Sequence, residues 1–73
     1  MKVLGQRLKE LRKERGLVQQ DIADVLGCRV RGYQGIELGD VNTTIPKLMM
    51  LADFFGVSVD YLLGRTENRE INR

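Results

Sequence analysis

The sequence predicts an all-α domain, a compact bundle of five short helices. Leu4, Leu8 and Leu11 recur at helical spacing between charged residues, which is the pattern of an amphipathic first helix. A glycine stands where each predicted helix ends, at positions 16, 27, 39, 56 and 64. The periodic leucines and the regular glycine stops are the two observations that predict this fold class.

Two helices joined by a tight turn are predicted in the middle of the chain, over residues 19–26 and 29–38. The small Ala23 allows the two helices to cross closely, and Gly27 reaches the left-handed backbone region where the chain reverses. Tyr33 follows six residues later as a large anchor in the core. This order of small residue, glycine and large residue is the spacing of a DNA-binding helix-turn-helix.

Two further helices complete the predicted domain. Thr44 is a suitable N-cap for helix four, and Ser58 is a suitable N-cap for a short fifth helix over residues 59–63. Residues 1–64 are therefore predicted to form one helix-turn-helix domain. Residues 65–73 are charged and lack apolar periodicity, so they are predicted to form a flexible tail.

The composition argues against several classes of function. The 73 residues include one cysteine and no histidine, so they offer no zinc cluster and no histidine-based catalytic site. The single cysteine and the lack of an apolar signal segment favour the reducing cytoplasm. No apolar run approaches the roughly 20 residues of a membrane span. We therefore expect a cytoplasmic protein that is not an enzyme and uses no cofactor, metal, membrane or small-molecule ligand.

Charge is distributed unevenly along the chain, although the net charge is only +2. Residues 1–17 contain six Lys or Arg and two Glu, whereas residues 18–64 contain three basic and six acidic side chains. A basic end on a mildly acidic body can turn one face towards a polyanion such as DNA. A first helix that carries solvated charges explains the same distribution, and charge by itself leaves both interpretations open.

Three stretches carry a resemblance to a known family: LGQRLKELRKERGL at the start, Q-x-x-I-A-x-x-L-G in helix two, and LADFFGVSVDYLLG near the end. Over about residues 4–64 the chain resembles the lambda-repressor-like, Cro-type helix-turn-helix family, also called the XRE family. The resemblance implies a transcriptional regulator of the repressor type. Such a protein binds an inverted-repeat operator in double-stranded DNA as a homodimer, with helix three in the major groove.

The resemblance also implies which residues contact DNA. Base pairs would be read by Arg29, Val30, Arg31, Gln34 and Gly35. Phosphates would be contacted by Gln19, Gln20, Leu38, Asn42 and Thr43. Arginine can hold guanine O6 and N7 with two hydrogen bonds, and glutamine can hold adenine N6 and N7 in the same way.

Two further sets of residues have structural roles under the same resemblance. Arg12 and Glu37 would form an internal salt bridge that positions helix three. The dimer interface would lie around the junction of helices four and five, at Phe55, Val57, Val59, Tyr61 and Leu62.

The sequence departs from the family pattern in and after helix three. Tyr33 and Ile36 reverse the usual order of an aliphatic and a larger residue, which is tolerable if the tyrosine hydroxyl finds a partner. Gly32 and Gly35 either let the backbone approach base edges or loosen the helix. The loop over residues 38–43 carries no basic residue, which predicts fewer phosphate contacts and a shallower salt dependence.

These departures keep a second function open, a protein-interaction module in which DNA readout is weakened or lost. Its contact surface would be the apolar C-terminal unit that contains Met49, Met50, Val57, Val59, Tyr61 and Leu62. Arg29 and Arg31 on helix three argue against it. Binding to generic duplex DNA at low salt distinguishes the two functions, because a pure protein-interaction module would have almost no affinity for DNA.

Overall fold

The computed structural model describes residues 1–70, and within them the chain is all-helical. The helices are α1 (Lys2–Glu14), α2 (Gln19–Leu26), α3 (Val30–Leu38), α4 (Ile45–Phe55) and α5 (Val59–Leu62). The predicted five-helix fold class is therefore confirmed, and α2 and α3 lie within one residue of their predicted bounds. Between residues 1 and 70 no helix is both long and apolar enough to cross a membrane.

Glycine ends the two helices of the helix-turn-helix for a backbone reason. Gly27 and Gly39 follow α2 and α3 with φ angles of 66° and 82°, in the left-handed region that residues with a Cβ rarely adopt. The N–H groups of both glycines donate to carbonyls of the preceding turn. Each helix end is therefore hydrogen-bonded as well as stopped.

Side chains cap the N-termini of α2, α4 and α5, and the first of these caps is not predicted from the sequence. Thr44 and Ser58 accept backbone N–H groups of α4 and α5, as predicted. Val18 precedes α2 and has no acceptor of its own. Instead the Asp21 carboxylate reaches back and accepts the Val18 N–H at 2.9 Å, which fixes the first turn of α2 from inside the helix.

One hydrophobic core joins all five helices. Its largest fully buried side chains come from each helix in turn: Leu8, Ile22, Tyr33, Leu51 and Leu62. Ala23 is also fully buried, as the predicted close crossing of α2 and α3 requires. The core therefore fixes α3 against the rest of the domain by its buried side and leaves the other side to solvent.

The crossing of α1 and α3 is so close that one position of α1 admits no side chain. A Cβ on Gly5 would lie on the Glu37 carbonyl oxygen and 2.6 Å from the carbonyl oxygen of Ile36. Both atoms belong to the backbone of α3, so they can give way only if the helix itself moves. Gly5 thus sets the depth at which α3 lies against α1.

Four of the five residues predicted at a dimer interface belong to the core. Phe55, Val57, Tyr61 and Leu62 are buried, and Val59 is half-buried. These four side chains are not offered on the surface of the chain, which corrects the sequence prediction. The reason is that their apolar pattern fills the junction of α4 and α5 with the core. The exposed apolar side chains of α4 are instead Ile45, Met49 and Met50.

The first part of the charged tail packs along α1. Residues 65–70, here called the strap, are held where Arg69 donates to both Glu14 carboxylate oxygens, at 2.8 and 2.7 Å. Arg7 of α1 donates to a strap carbonyl at 2.9 Å. The strap therefore has defined contacts with α1, and the flexibility of the tail stays a prediction. The same expectation for residues 71–73 lies outside the described residues.

Candidate nucleic-acid interface

α3 turns one side to the core and the other to solvent. Arg31, Gln34 and Leu38 are exposed and lie three or four residues apart, so they form one stripe along the helix. Gly35 belongs to the same stripe, and the exposed N-cap residue Arg29 stands at its start. We call these five residues the outer face of α3.

Val30 was predicted to read bases, but it does not belong to the outer face. Its side chain is half-buried and packs against the hydrophobic core. The position lies at the boundary between the two sides of α3, and the apolar side chain turns inward there. The remaining predicted base-reading residues all lie on the outer face.

A chain of hydrogen bonds joins the outer face to the interior. Gln34 Nε2 donates to Gln19 Oε1 at 3.0 Å, and Gln19 Nε2 donates to Glu37 Oε1 at 3.2 Å. Glu37 is held by Arg12, which also donates to the Leu17 carbonyl. Gln34 is therefore anchored in the free protein, and α1, α2 and α3 are connected through one series of polar groups.

Arg12 and Glu37 form the predicted internal salt bridge. Arg12 Nε and Nη2 reach the two carboxylate oxygens at 2.7 and 3.2 Å, and the side chains are only 12% and 4% exposed. Burial acts to raise the pKa of the Glu37 carboxyl, but hydrogen bonds, that from Arg12 foremost, outweigh it and hold the pKa below its usual value. The pair is therefore charged, and it fixes the end of α3 to α1.

The Tyr33 hydroxyl lies beside this ion pair without a hydrogen bond. The side chain is fully buried, and no atom of residues 1–70 meets hydrogen-bond geometry with its oxygen. Burial, reinforced by the neighbouring Glu37 carboxylate, raises the pKa of Tyr33 far above its usual value. Within residues 1–70 the partner that the exchange of Tyr33 and Ile36 requires is not found at hydrogen-bond geometry, and the charged side chains nearest to the hydroxyl are those of Glu37 and Arg12.

The two glycines inside α3 have different surroundings. Apart from its chain neighbours and the backbone of its own helix, a Cβ on Gly32 would meet no described atom within 4 Å, so this position is open. A Cβ on Gly35 would lie 2.8 Å from Cγ2 of Val41. A loop side chain therefore covers Gly35, and the backbone there is not bare, contrary to the interpretation from sequence.

The loop after α3, residues 39–44, offers fewer groups to a phosphate than its sequence predicted. The Thr43 hydroxyl oxygen is buried and has no hydrogen-bond partner in the described part of the chain. Leu38, just before the loop, exposes a hydrocarbon side chain that cannot hydrogen-bond to a phosphate. Asn42 is exposed, and its Oδ1 accepts from the Met1 amino group at 3.3 Å. Of these three, Asn42 is the one whose polar group reaches the surface.

The other predicted phosphate contacts lie in the first turn of α2. Gln20 is exposed, and its Nε2 donates to Asp24 Oδ1 at 2.8 Å. Gln19 is half-buried because it bridges Gln34 and Glu37. A helix N-terminus also carries backbone N–H donors and the positive end of the helix dipole, which attract an anion.

Two lysines that were not among the predicted site residues lie next to the loop. Lys2 Cγ lies 2.9 Å from the position that a Cβ on Gly39 would occupy. Lys47 lines a pocket of about 140 Å³ together with Gly32 and Thr43. The sequence feature that could have pointed to Lys47 is its place in the first turn of the predicted helix four. The position of Lys2 depends on how α1 packs, which the sequence does not show. The loop therefore has basic neighbours although it has no basic residue of its own.

The arginines of α1 are turned towards the protein itself. Arg7 donates to the strap, Arg12 donates to Glu37, and Arg15 donates to two carbonyls at the end of α4, at 3.0 and 2.8 Å. These contacts give the three arginines of residues 1–17 roles in the fold, whereas Lys2, Lys9 and Lys13 of the same stretch are exposed.

A family model described as helix-turn-helix matches residues 8–62, which is most of the chain. The chain therefore belongs to the helix-turn-helix family. Its five-helix fold and its motifs are those of the lambda-repressor-like, Cro-type class, as predicted from the sequence. No solved structure matches the chain significantly.

Curated relatives carry the names of regulators. The chain is 39% identical over 64 residues to the SPbeta prophage-derived uncharacterized HTH-type transcriptional regulator YonR of Bacillus subtilis. The matched stretch covers 88% of this chain and 59% of that protein. It is 41% identical over 64 residues to the HTH-type transcriptional regulator AnsR of the same organism, covering 88% and 55%. It is 33% identical over 71 residues to the cryptic phage CTXphi transcriptional repressor RstR of Vibrio cholerae, covering 93% and 63%. The chain thus spans little more than half the length of these relatives.

Proposed function

We propose that this chain binds double-stranded DNA sequence-specifically as a transcriptional regulator of the repressor type. α3 lies in the major groove, and two copies bind an inverted-repeat operator with half-sites about one helical turn apart. The observation that carries the proposal is the outer face of α3, where Arg31 and Gln34 are exposed and Gln34 is held in place by Gln19. The regulator names of the relatives support it.

The chemistry of the outer face suits the recognition of bases. Arg29 and Arg31 each carry a planar fork of donors that matches guanine O6 and N7. The Gln34 amide uses one N–H for Gln19. Its second N–H and its carbonyl oxygen are then free for the N7 and N6 groups of adenine. Because Gln34 is already ordered, it loses less conformational entropy when it binds a base.

Phosphate contacts are proposed on both sides of α3. The first turn of α2 contributes Gln20 and its backbone N–H groups, and the loop contributes Asn42. Lys2 and Lys47 stand beside the loop and supply the charge that it lacks. If each lysine neutralises one phosphate, the slope of log K against log salt concentration steepens by about 2 per protomer.

Pairing of two copies is proposed through the exposed side of α4 and α5. A groove of about 290 Å³ between α4 and α5 is bordered by Met49 and Val59 and by the acidic Asp53 and Asp60. Ile45 and Met50 are further exposed apolar side chains of α4. A single recognition helix buries too little surface for tight specific binding, and a two-fold pair doubles that surface.

Selection of binding sites from random duplex DNA at moderate salt tests the proposal. We expect an enriched inverted repeat that carries two copies of the protein. Arg31→Ala is expected to relax the preference at one base pair of each half-site, at a cost of about 1–3 kcal/mol in discrimination. Lys13→Ala is the matched control, because Lys13 is an exposed cation of α1 outside the outer face of α3.

The opposite outcome has a distinct form. No enriched motif, together with no affinity for generic duplex DNA at low salt, would refute DNA binding and favour the protein-interaction module. The exposed methionines of α4 would then be its contact surface. The lack of positive charge around the loop is one reason to favour the protein-interaction module. The positions of Lys2 and Lys47 beside the loop weaken that reason.

A further inference from the structure

We infer that Val41, a loop residue, belongs to the base-reading surface and contacts the C5-methyl group of a thymine. The inference rests on the proposed function and deepens it. Its basis is the position of the Val41 side chain, which occupies the space where a side chain on Gly35 would project. The outer face of α3 is therefore completed by a residue that does not belong to α3.

The backbone holds Val41 firmly in this position. The N–H groups of Asp40 and Val41 both donate to the Gly35 carbonyl oxygen, at 3.0 and 3.2 Å. Gly39, with a φ of 82°, allows the chain to fold back over the end of α3. Glycine at position 35 and valine at position 41 fit each other, because any larger residue at 35 would meet Cγ2 of the valine.

Val41 remains at the surface although it packs on α3. Val41 is 51% exposed, and Leu38, three residues earlier in the sequence, is 67% exposed. Gly35 lies one turn after Arg31 and one turn before Leu38. The Val41 side chain covers this part of α3, and it also lines the pocket that contains Gly32 and Ile36. The outer face thus begins with polar groups at Arg31 and Gln34 and ends with hydrocarbon.

A hydrocarbon group has one specific partner among the base edges of the major groove. That partner is the C5-methyl group of thymine, since the other features there are hydrogen-bond donors and acceptors. Valine offers no donor to a phosphate, and its branched side chain is stiff at χ1, so contact costs it little freedom. Burying one methyl group is expected to contribute about fourfold in affinity.

Replacement of thymine by uracil removes only this methyl group and is the sharpest test. In the selected operator each thymine of a half-site is replaced in turn, and affinity is measured for the wild-type protein and for Val41→Ala. At one position the replacement is expected to lower the DNA affinity of the wild type about fourfold and to leave the DNA affinity of Val41→Ala unchanged. Lys13→Ala, which changes an exposed side chain of α1 outside the outer face of α3, is the control, and its binding should weaken by the same fourfold on this replacement.

Gly35→Ala supplies a second variant, because it keeps the valine but displaces it, and it should also lose the preference for thymine. The inference is overturned if the wild type binds the uracil operator with the same affinity as the thymine operator at every position. It is also overturned if Val41→Ala keeps the preference for thymine. If circular dichroism shows Val41→Ala unfolded, Gly35→Ala takes its place in this comparison. Failure to select any operator would overturn the proposed function and this inference with it.

Discussion

Glu37 connects three helices through one carboxylate. It stands near the end of α3 and accepts hydrogen bonds from Arg12 of α1 and Gln19 of α2. A buried ion pair recovers little more than the cost of removing both charges from water. Its value here lies in the position it gives to α3, because any rotation of that helix would separate the carboxylate from both donors.

Arg12→Met is expected to lower the free energy of unfolding by about 3 kcal/mol, because it leaves a buried carboxylate without its cation. The double variant Arg12→Met with Glu37→Met should regain most of this loss, since it removes both charges and keeps the volume. Urea unfolding followed by circular dichroism measures both. Because small domains have only a few kcal/mol of stability, an unfolded single variant at 25 °C also agrees with the expectation.

Lys13→Met is the matched control for this pair, because Lys13 neighbours Arg12 on α1 and is exposed. It should unfold at the same urea concentration as the wild type within a few tenths molar. A single Arg12→Met variant as stable as Lys13→Met would show that the ion pair does not fix α3.

Individual residues were predictable where their chemistry decides their position. Arg29, Arg31 and Gln34 are exposed as predicted, because charged and amide groups of an amphipathic helix remain in water. Val30 and Thr43 were assigned to the wrong side. Both lie at a boundary where the tilt of α3 and the path of the loop decide the exposure, and no local sequence pattern records either of them.

At the scale of elements, local signals were sufficient for the helices but not for their crossings. The ends of α2 and α3 follow from glycines whose φ angles are positive, so the sequence alone locates them. The Arg12–Glu37 pair predicted that α1 contacts α3, but the close approach of the two backbones at Gly5 was not predicted. In the sequence Gly5 is only a residue that weakens α1, and its role becomes visible once the backbone of α3 lies on it.

Gly5→Ala is expected to destabilise the domain by about 3 kcal/mol, although alanine is the better helix former. The new Cβ would overlap carbonyl oxygens of α3, and the two helices would have to separate. The melting temperature measured by circular dichroism should fall by more than about 10 °C for a domain of this size.

Gly32→Ala is the matched control for the same substitution in an open position. No described atom outside the adjacent residues and the α3 backbone lies within 4 Å of the new Cβ, so the helix propensity is the main change. It should stabilise the domain by up to about 1 kcal/mol. Equal effects of the two substitutions would contradict the close crossing of α1 and α3.

On the scale of the whole molecule, the strap closes the bundle by joining the end of the chain to its first helix. The Arg69 guanidinium lies 5.2 Å and the Arg7 guanidinium 4.1 Å from the centroid of the Tyr61 ring. Glu14 binds Arg69 through both oxygens, and this hydrogen bonding lowers the pKa of the Glu14 carboxyl. The sequence could not predict the strap, because a charged segment without apolar periodicity gives no sign of the partners it will meet.

Arg69→Gln is expected to lower the melting temperature by a few degrees at low salt, because it removes the ion pair with Glu14 and the cation above Tyr61. The difference should shrink towards about 1 M NaCl, where exposed charges are screened. Scanning calorimetry at both salt concentrations measures it.

Arg65→Gln is the control within the strap, because the ion pair of Arg65 with Asp60 is longer, at 3.9 Å, and more exposed. Its melting temperature should follow the wild type at both salt concentrations. If Arg69→Gln does the same, the strap does not contribute to the stability of the domain.

The cover that Val41 places over Gly35 also bears on how the specificity of such a protein can change over evolution. The surface presented by α3 is encoded by two separate stretches of sequence. Two descendants with identical residues from 29 to 38 could therefore prefer different operators if position 41 differs. A loop position is free of helix propensity, and this one is exposed rather than part of the core. Substitutions there can alter what is read while the helix that reads it is conserved.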